Sequence, residues 1–400
     1  MHMKAAVLRA QGKPRPYAVS QPMTIEDVQL DPPGPGEVLY EIIGAGLCHS
    51  ELSTIEGLRP RKLPSIPGHE AAGIVREIGP EVRGLKPGDH VVSVFVTSCG
   101  DCRYCNGGRP NLCQSSFTAR AEGTLTTGAR RLSLNGEPLY HYSGLSVFAQ
   151  YAVVAQNALI KIPDDVPLED AAIFGCAVVT GVGAVLNTAQ VPAGGQMAVV
   201  GLGGVGMNAL LGGVVAGAER IVAVDLNADK LRIARELGAT DTFLAGNADV
   251  AAEIKAATSG GLDYVIETAG AIEAMNLAYA ITARGGMVVS AGLPAVDRVF
   301  SYPHSALVSD EKSIRGSYMG SCVPKRDIPR FIGLYQRGKL PVQKLRSGFI
   351  GFEDINAGFD RLSDGAVLRQ VLQPHAQNLS RFAGEVETRG VEGEADRVGR

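Results

Sequence analysis

A glycine-rich turn between two apolar segments limits the fold of this chain more than any other part of the sequence. The strand-like run Met197–Val200 leads into Gly201-Leu202-Gly203-Gly204-Val205-Gly206, which has the form G-x-G-x-x-G, and the helix-like stretch Met207–Ala216 follows. Without this context the pattern would indicate only a tight turn. Placed between a strand and a helix, it lets a pyrophosphate approach the backbone and the free N–H groups of the helix N-terminus. The sequence therefore predicts a dinucleotide site at Gly201, Gly203, Gly204, Val205 and Gly206.

Asp225 supports the same interpretation, because it ends the next apolar run, 19 residues after Gly206. A carboxylate at this position accepts hydrogen bonds from the adenosine ribose hydroxyls and repels a 2′-phosphate. Taken alone, the residue could be a surface aspartate at the end of a strand. In this context it favours NAD over NADP.

The alternation of apolar runs and helix-like stretches from Gln196 onward predicts βαβ units and a parallel sheet. The first 115 or so residues differ, since they read as short strands broken by Gly and Pro. A chain of 400 residues has room for two domains. We therefore expect an α/β fold in which a Rossmann-type doubly wound parallel sheet, residues 179–318, is inserted in a discontinuous, mostly β catalytic domain, residues 1–178 and 319–374. Residues 375–400 are polar and predict a disordered tail.

Net charge and hydropathy limit the classes of partner that this chain is expected to bind. The formal net charge is −3, which gives no basic surface for nucleic acid, and we find no apolar run long enough to span a bilayer. No secretory signal precedes the first strand-like run, so we expect a cytoplasmic protein. In a reducing compartment, clustered cysteines are more often metal ligands than disulfides.

Four of the seven cysteines form one compact motif, Cys99-x2-Cys102-x2-Cys105-x7-Cys113. Four thiolates in one loop suit tetrahedral zinc, and a closed set of ligands implies a structural role. An iron–sulfur cluster uses similar ligands and stays open as an alternative. The spacing predicts a structural metal site, with zinc the favoured ion.

Three further residues suggest a second metal site. Cys48, His69 and Cys176 are far apart in sequence, but two cysteines and a histidine with one open position form a catalytic zinc set. A histidine in Gly68-His69-Glu70 could equally be a hydrogen-bonded residue in a turn. Cys322 fits no pattern and is interpreted as a packing residue.

Together these motifs resemble the zinc-containing medium-chain alcohol dehydrogenase family, over a stretch from Lys4 to about Leu372. The residues that carry the resemblance are Gly46-Leu47-Cys48-His49-Ser50-Glu51, Pro67-Gly68-His69-Glu70, Pro87-Gly88-Asp89-His90-Val91, the four-cysteine loop, Gly175-Cys176, and Gly201 to Gly206 with Asp225. The resemblance implies a GroES-like catalytic domain, two zinc ions per chain and NAD. It also implies a homodimer or homotetramer.

The resemblance assigns roles around the catalytic zinc. It implies that Cys48, His69 and Cys176 bind the metal, and that Glu70 is either an alternate fourth ligand or a group behind the metal. Glu51 stands where the family usually has Asp, and it would bond His69 and fix its tautomer. Ser50 takes the place of a Ser or Thr that hydrogen-bonds the substrate oxygen.

It also assigns roles at the cofactor and the substrate. Thr180 would pack beside the nicotinamide, Lys230 would join Asp225 at the ribose, and His49 and Arg369 would meet the pyrophosphate. Phe95 and Tyr142 resemble residues that line the alcohol pocket, and Ser143 stands beside Tyr142 where a larger apolar side chain is common. One position departs from the family, because Ser53 stands where well-known members have a histidine that ends a proton relay. Either a serine–water route replaces that relay, or the proton leaves more slowly.

The function that follows is a zinc-dependent transfer of a hydride between NAD(H) and a primary alcohol or aldehyde, with secondary alcohols left open. Two alternatives share this scaffold: a thiol-dependent formaldehyde dehydrogenase, for which Arg120, Arg130 and Arg131 could meet substrate carboxylates, and a nicotinoprotein that never releases NAD. A non-catalytic dinucleotide-binding protein is the alternative from another class, and the complete ligand set argues against it.

Overall fold

The computed structural model describes residues 1–376, so the predicted tail, residues 375–400, lies almost entirely outside the described residues. The strands are, in chain order, β1 His2–Leu8, β2 Met23–Leu30, β3 Glu37–Gly46, β4 Ser65–Ile66, β5 Ala71–Ile78, β6 His90–Ser93, β7 Leu132–Leu134, β8 Glu137–Pro138, β9 Tyr140–His141, β10 Tyr151–Ala155, β11 Leu159–Lys161, β12 Gln196–Val200, β13 Arg220–Asp225, β14 Asp241–Leu244, β15 Leu262–Glu267, β16 Thr282–Ser290, β17 Ser313–Gly316, β18 Arg346–Ile350 and β19 Arg369–Leu372. The α-helices are α1 Tyr17–Ser20, α2 His49–Ile55, α3 Arg103–Asn106, α4 Gln114–Glu122, α5 Leu168–Ala171, α6 Val179–Gly183, α7 Gly204–Ala216, α8 Ala228–Glu236, α9 Val250–Ala257, α10 Ile272–Ile281, α11 His304–Ser309, α12 Pro324–Gln336 and α13 Ile355–Ser363.

The predicted parallel sheet is present, in the order β14-β13-β12-β15-β16-β17. All of its neighbouring strands are parallel; Val199, for example, is paired with Ala223 on one side and with Ile266 on the other. The first strand, β12, lies in the middle of this order. The next two strands are added on one side of it and the last three on the other, as in a doubly wound dinucleotide-binding sheet. The glycine turn follows β12 and leads into α7, so the Rossmann-type part of the predicted fold is confirmed.

The remaining strands form two further sheets, mostly antiparallel. One has the order β8-β7-β2-β1-β4-β9, and the other has the order β11-β6-β5-β3-β19-β18 with β10 also paired to β3. Strand β19, close to the end of the described chain, pairs with β3 near its start, where Val371 faces Gly46. The chain therefore leaves this β-rich part for the parallel sheet and returns to it, as predicted.

The helical segment Leu168–Ala189 connects the two parts of the molecule. It contains α5 and α6 with π-helical turns at Phe174–Val178 and Ala184–Ala189. By length and composition it could cross a membrane, which corrects the expectation that no apolar run is long enough. However, 89% of its most apolar window is buried inside the protein. It is packed like a core helix of a soluble protein, against α7 and α12.

Candidate active site

The structure brings Cys48, His69 and Cys176 together from three separate elements. Cys48 immediately precedes α2, His69 lies just before β5, and Cys176 lies in the π-helical turn Phe174–Val178. Their ligand atoms all lie within 4.8 Å of one another, and all three residues are buried. The Nε2 atom of His69 is 3.1 Å from the Sγ atom of Cys176. Two soft sulfur donors and one imidazole nitrogen fit a zinc ion with one open position.

Glu51 orients the histidine. Its Oε1 atom is hydrogen-bonded to Nδ1 of His69, and the Glu51 side chain is fully buried. Because Nδ1 is engaged in this bond, Nε2 is the nitrogen that faces the two sulfurs. The ring of Phe95 packs edge-on against the imidazole, with 5.3 Å between ring centroids. This arrangement agrees with the tautomer-fixing role expected for Glu51.

Glu70 does not join this group of three, because its carboxylate is engaged elsewhere. Oε1 of Glu70 accepts a hydrogen bond from Nη1 of Arg369 at 2.8 Å, and Oε2 accepts one from the backbone N–H of Ala177 at 3.2 Å. Burial raises the pKa of Glu70 to about 7, although the Arg369 charge opposes this shift. Of the two roles left open for Glu70, this geometry favours a position behind the metal over direct ligation.

The electrostatics of the group favour a thiolate at Cys48. A hydrogen bond with Cys176 lowers the pKa of Cys48, burial opposes it, and the Arg369 charge again lowers it, so the pKa lies well below its usual value. A thiolate is the form of cysteine that binds a metal ion. The same arginine therefore stabilises negative charge on Glu70 and on Cys48.

The second predicted group is also assembled. The sulfur atoms of Cys99, Cys102, Cys105 and Cys113 lie within 4.8 Å of one another, in the loop around α3. Backbone N–H groups point at these sulfurs: that of Cys99 donates to Cys113 Sγ at 3.3 Å, and that of Cys102 to Cys99 Sγ at 3.4 Å. Backbone hydrogen bonds lower the pKa of Cys102 to about 6. Four convergent sulfurs of this kind fit a closed zinc site. All seven cysteines of the chain are free thiols.

One cavity of about 1520 Å³ joins the three-residue group to the glycine turn. Cys48, Ser50, His69 and Cys176 line it at one end. It is lined further by nine of the predicted cofactor residues: His49, Thr180, Gly201, Gly203, Gly204, Val205, Asp225, Lys230 and Arg369. A long two-part ligand such as a dinucleotide therefore has a continuous path from the end of β13 to the sulfurs.

The glycine turn has the geometry that a pyrophosphate requires. A Cβ atom at Gly203 would meet nothing within 4 Å, and one at Gly204 would lie 2.2 Å from Nε of Arg369. That Nε is buried and has no partner within the described residues. An unpaired guanidinium N–H beside an open glycine backbone fits a phosphate ligand.

Gly206, which does not line the cavity, and Asp225, which does, both support the geometry of the turn. A Cβ atom at Gly206 would lie 1.8 Å from the carbonyl oxygen of Gly201, so this glycine permits the close approach of α7 to β12. The Oδ2 atom of Asp225 accepts a hydrogen bond from the N–H of Leu202 at 2.6 Å, and Oδ1 accepts one from that of Asn227 at 2.9 Å. Asp225 is thus fixed at the edge of the cavity.

The predicted substrate residues Ser50, Ser53, Phe95, Tyr142 and Ser143 all line the cavity. The Oγ atom of Ser50 lies 3.8 Å from Cys48 Sγ. The hydroxyl of Tyr142 donates to the carbonyl oxygen of Ser50 at 3.1 Å. The hydroxyl of Ser50 is therefore held next to the candidate metal ligands.

Sequence reasoning missed two arginines and an aromatic residue of this cavity, Arg59, Arg61 and Tyr318. One feature of the sequence could have indicated the two arginines: both lie within six residues of the end of the helix His49–Ile55, which begins beside Cys48. Of the three arginines considered for substrate carboxylates, only Arg120 lines the cavity. Arg130 lies over the ring of Tyr140, and Arg131 is paired with Glu37 at 2.7 Å. The structure therefore does not bring Arg130 and Arg131 to the site.

The fold and the two cysteine-containing groups define a zinc-binding, dinucleotide-dependent oxidoreductase. Family profiles agree: "Alcohol dehydrogenase GroES-like domain" matches residues 34–164, and "Zinc-binding dehydrogenase" matches residues 204–337. A Mycobacterium tuberculosis protein provisionally named alcohol dehydrogenase D is 38% identical over 93% of this chain and 100% of its own length. The S-(hydroxymethyl)glutathione dehydrogenase of Paracoccus denitrificans is 36% identical over 93% of this chain and 100% of its own.

Solved structures show the same similarity. The crystal structure of benzyl alcohol dehydrogenase from Acinetobacter calcoaceticus has a TM-score of 0.87 and 32% identity, covering 93% of this chain and 99% of that one. This chain belongs to the zinc-containing medium-chain alcohol dehydrogenase family. It is an NAD-dependent zinc alcohol dehydrogenase that acts on a small-molecule substrate.

Proposed function

We propose that the chain oxidises primary alcohols to aldehydes, and reduces aldehydes in reverse, in the cavity that joins the three-residue group to the glycine turn. The observation that supports this proposal is the continuity of that cavity, since donors for a metal and a turn for a dinucleotide open into the same space. The overall reaction is RCH2OH + NAD⁺ → RCHO + NADH + H⁺. Benzyl alcohol is one such primary alcohol, and secondary alcohols are further candidate substrates.

Cys48, His69 and Cys176 would hold the catalytic zinc, with Glu51 fixing the His69 ring. Zinc bound there supplies a Lewis acid that lowers the pKa of the alcohol hydroxyl and polarises the aldehyde carbonyl. Glu70 and Arg369 lie behind the ligands and set the charge around them. Cys99, Cys102, Cys105 and Cys113 would hold a second zinc that stabilises their loop.

Ser50 would accept the proton of the alcohol hydroxyl. Its Oγ is near Cys48 Sγ, and its carbonyl oxygen is held by Tyr142, which fixes the backbone of the residue. Ser53 lines the same cavity where the family resemblance expects a histidine. The proton would then pass through water to solvent beside Ser53. Phe95 and Tyr142 exclude bulk water from the reacting atoms.

The glycine turn, Arg369 and His49 would hold the pyrophosphate of NAD, and Asp225 and Lys230 would hold the adenosine ribose. NAD bound in this way supplies the acceptor for the hydride from the carbinol carbon. Thr180 lies in the same helical segment as Cys176, so it would position the nicotinamide near the three-residue group. Orientation of this kind is a large part of the rate enhancement of a two-substrate reaction.

We also propose the domain bounds stated above, a homodimer or homotetramer, and a cytoplasmic location. The strand order supports the bounds, because the six parallel strands lie between residues 196 and 316. Seven free thiols, four of them in one loop, suit a reducing compartment.

The test is zinc content per chain together with NAD-dependent oxidation of benzyl alcohol and hexanol by the purified protein. We expect two zinc ions and turnover. Cys48→Ser should retain one zinc and lose at least about 100-fold in kcat/KM. Cys322→Ser is the matched control, because Cys322 is buried but lies outside both groups. Full turnover by Cys48→Ser would refute the proposed site.

Two further results would redirect the proposal. Turnover that requires an external carrier and ignores added free NAD would indicate a nicotinoprotein. Turnover of formaldehyde only in the presence of a thiol would indicate the thiol-dependent dehydrogenase.

A further inference from the structure

Three arginines, Arg59, Arg61 and Arg120, line the substrate end of the cavity, and only Arg120 has so far been considered for a role there. They come from two separate parts of the chain: the segment after α2, and α4. Within residues 1–376, no ion pair includes any of them. The Nε atom of Arg61 is buried without a hydrogen-bond partner among the described residues. A cavity that concentrates unpaired guanidinium groups is suited to an anionic ligand.

Aromatic rings connect these arginines to the reacting end of the cavity. The guanidinium carbon of Arg61 lies 5.9 Å from the ring centroid of Tyr142, and that ring lies 6.3 Å from the His69 ring. Arg61 is therefore within about 12 Å of the imidazole.

Arg120 approaches by a second route. It donates a hydrogen bond to the hydroxyl of Tyr318, whose ring packs edge-on against Phe95 at 5.8 Å. Phe95 in turn contacts the ring of His69. One ring, Tyr142, therefore separates Arg61 from His69, and two rings, Tyr318 and Phe95, separate Arg120 from it. A short alkyl chain can span such a distance.

The charges of the three arginines act on one another. Burial and the charge of Arg61, with a smaller contribution from Arg120, hold the pKa of Arg59 below its usual value. Three carboxylates also line the cavity: Asp225 is bound to the backbone at the glycine turn, Asp364 is paired with Arg15, and Glu273 lies in the first turn of α10, which packs on the parallel sheet. Within residues 1–376, none of the carboxylates that line the cavity is paired with these arginines.

We propose that Arg59, Arg61 and Arg120 form a specificity site for an anionic group, a carboxylate or a phosphate, carried by the alcohol or aldehyde substrate. This inference rests on the proposed function, because it places the reacting hydroxyl at the three-residue group and the anion at the arginines. The substrate class is then a primary alcohol with an anionic group at the far end of a short chain. The anion takes no part in the hydride transfer and only orients the substrate.

The test compares four alcohols of matched length: 1-hexanol, methyl 6-hydroxyhexanoate, 6-hydroxyhexanoate and 6-hydroxyhexyl phosphate. We expect the wild-type kcat/KM for an anionic substrate to exceed that for the neutral ester by at least about 10-fold. The difference should lie mainly in KM and should shrink as ionic strength rises. Of the two anionic substrates, the one with the higher kcat/KM identifies the anion.

Arg59→Gln, Arg61→Gln and Arg120→Gln should each reduce the preference for the anion by about 10-fold. Each should leave hexanol turnover within about 2-fold, which also shows that the variant is folded. Arg130→Gln is the matched control, because Arg130 stacks on Tyr140 away from the cavity, and it should change neither value.

Equal kcat/KM values for the anionic and neutral substrates in the wild type would overturn the inference, as would equal losses for hexanol and the anionic substrates in the variants. Hexanol turnover without any anion preference would leave the proposed function intact. Failure to oxidise any of the four alcohols, with two zinc ions bound and NAD added, would overturn the proposed function and the inference with it.

Discussion

Breaking the buried Glu70–Arg369 ion pair should be among the most destabilising single changes in this chain. Both side chains are buried, with exposed fractions of 0% for Glu70 and 3% for Arg369. Glu70→Gln removes the charge, and one of its two positions becomes an NH2 group that faces a donor, either Arg369 or the N–H of Ala177. Removing one partner of a buried pair leaves the other charge uncompensated, which costs about 3–5 kcal/mol.

This loss converts to a shift in Tm. The entropy of unfolding is about 2.1 cal/mol/K per residue, or roughly 0.8 kcal/mol/K for the whole chain. The expected decrease in Tm is therefore about 4–6 °C. Because the chain contains no tryptophan, the assay is circular dichroism or calorimetry rather than intrinsic tryptophan fluorescence.

A double-mutant cycle with Arg369→Met separates the pair from its surroundings. We expect a coupling energy of about 1–3 kcal/mol, so the double variant should be less destabilised than the two single changes predict. The control is Glu236→Gln in the exposed Arg232–Glu236 pair, which should shift Tm by less than about 1 °C. Strictly additive effects, or a Glu70→Gln shift as small as the control, would refute the reasoning.

Three further predictions follow from the same geometry. Cys105→Ser should lower the zinc content by one ion per chain and decrease Tm by several degrees; two zinc ions retained, measured by mass spectrometry, would contradict the assignment. Burial, with the charges of Arg130 and Arg131, lowers the pKa of His141 to about 3 from a usual value of 6.5. The contribution of His141 to the stability of the fold is therefore complete above pH 6.5, where the ring is neutral in both the folded and the unfolded chain, and it is lost as pH falls toward 3. His141→Gln should remove a pH dependence of roughly 3–5 kcal/mol in that range, and parallel Tm–pH curves for both proteins would count against it. Asp225→Ser should shift the NADP-to-NAD ratio of kcat/KM by roughly 10–100-fold toward NADP, and an unchanged ratio would exclude Asp225 from the ribose site.

Local motifs account for what the sequence predicted well. The glycine turn, Asp225 and the four-cysteine loop each lie in a short segment, so their spacing alone constrains their geometry. The parallel sheet was predictable because its strands are short apolar runs between helices. Cys48, His69 and Cys176 needed the family resemblance, because no spacing rule connects residues so far apart.

Contacts between distant segments account for what the sequence did not predict. Glu70 and Arg369 are 299 positions apart, so their pairing, and with it the proposed position of Glu70 behind the metal, could not be derived from spacing. Arg120 and Tyr318 are 198 positions apart, and their contact places both at the substrate end. No motif singled out Arg59 and Arg61; the fold places both in the cavity and Arg61 over the ring of Tyr142.

The buried segment Leu168–Ala189 has a consequence for biosynthesis. Its first turns pack on the earlier strands β3 and β5, but α6 is covered by α7 and α12, and both of these helices follow it in the chain. At a translation rate of about 5–20 residues per second, roughly 7–30 s pass before the last residue of α12 has been added. During that interval the segment, which carries Cys176 and Thr180, lacks the cover of α12 and can pack only against elements made earlier, such as β3 and β5. We therefore expect the exposed apolar face of α6 to be a chaperone-binding site on the nascent chain until α7 and α12 cover it.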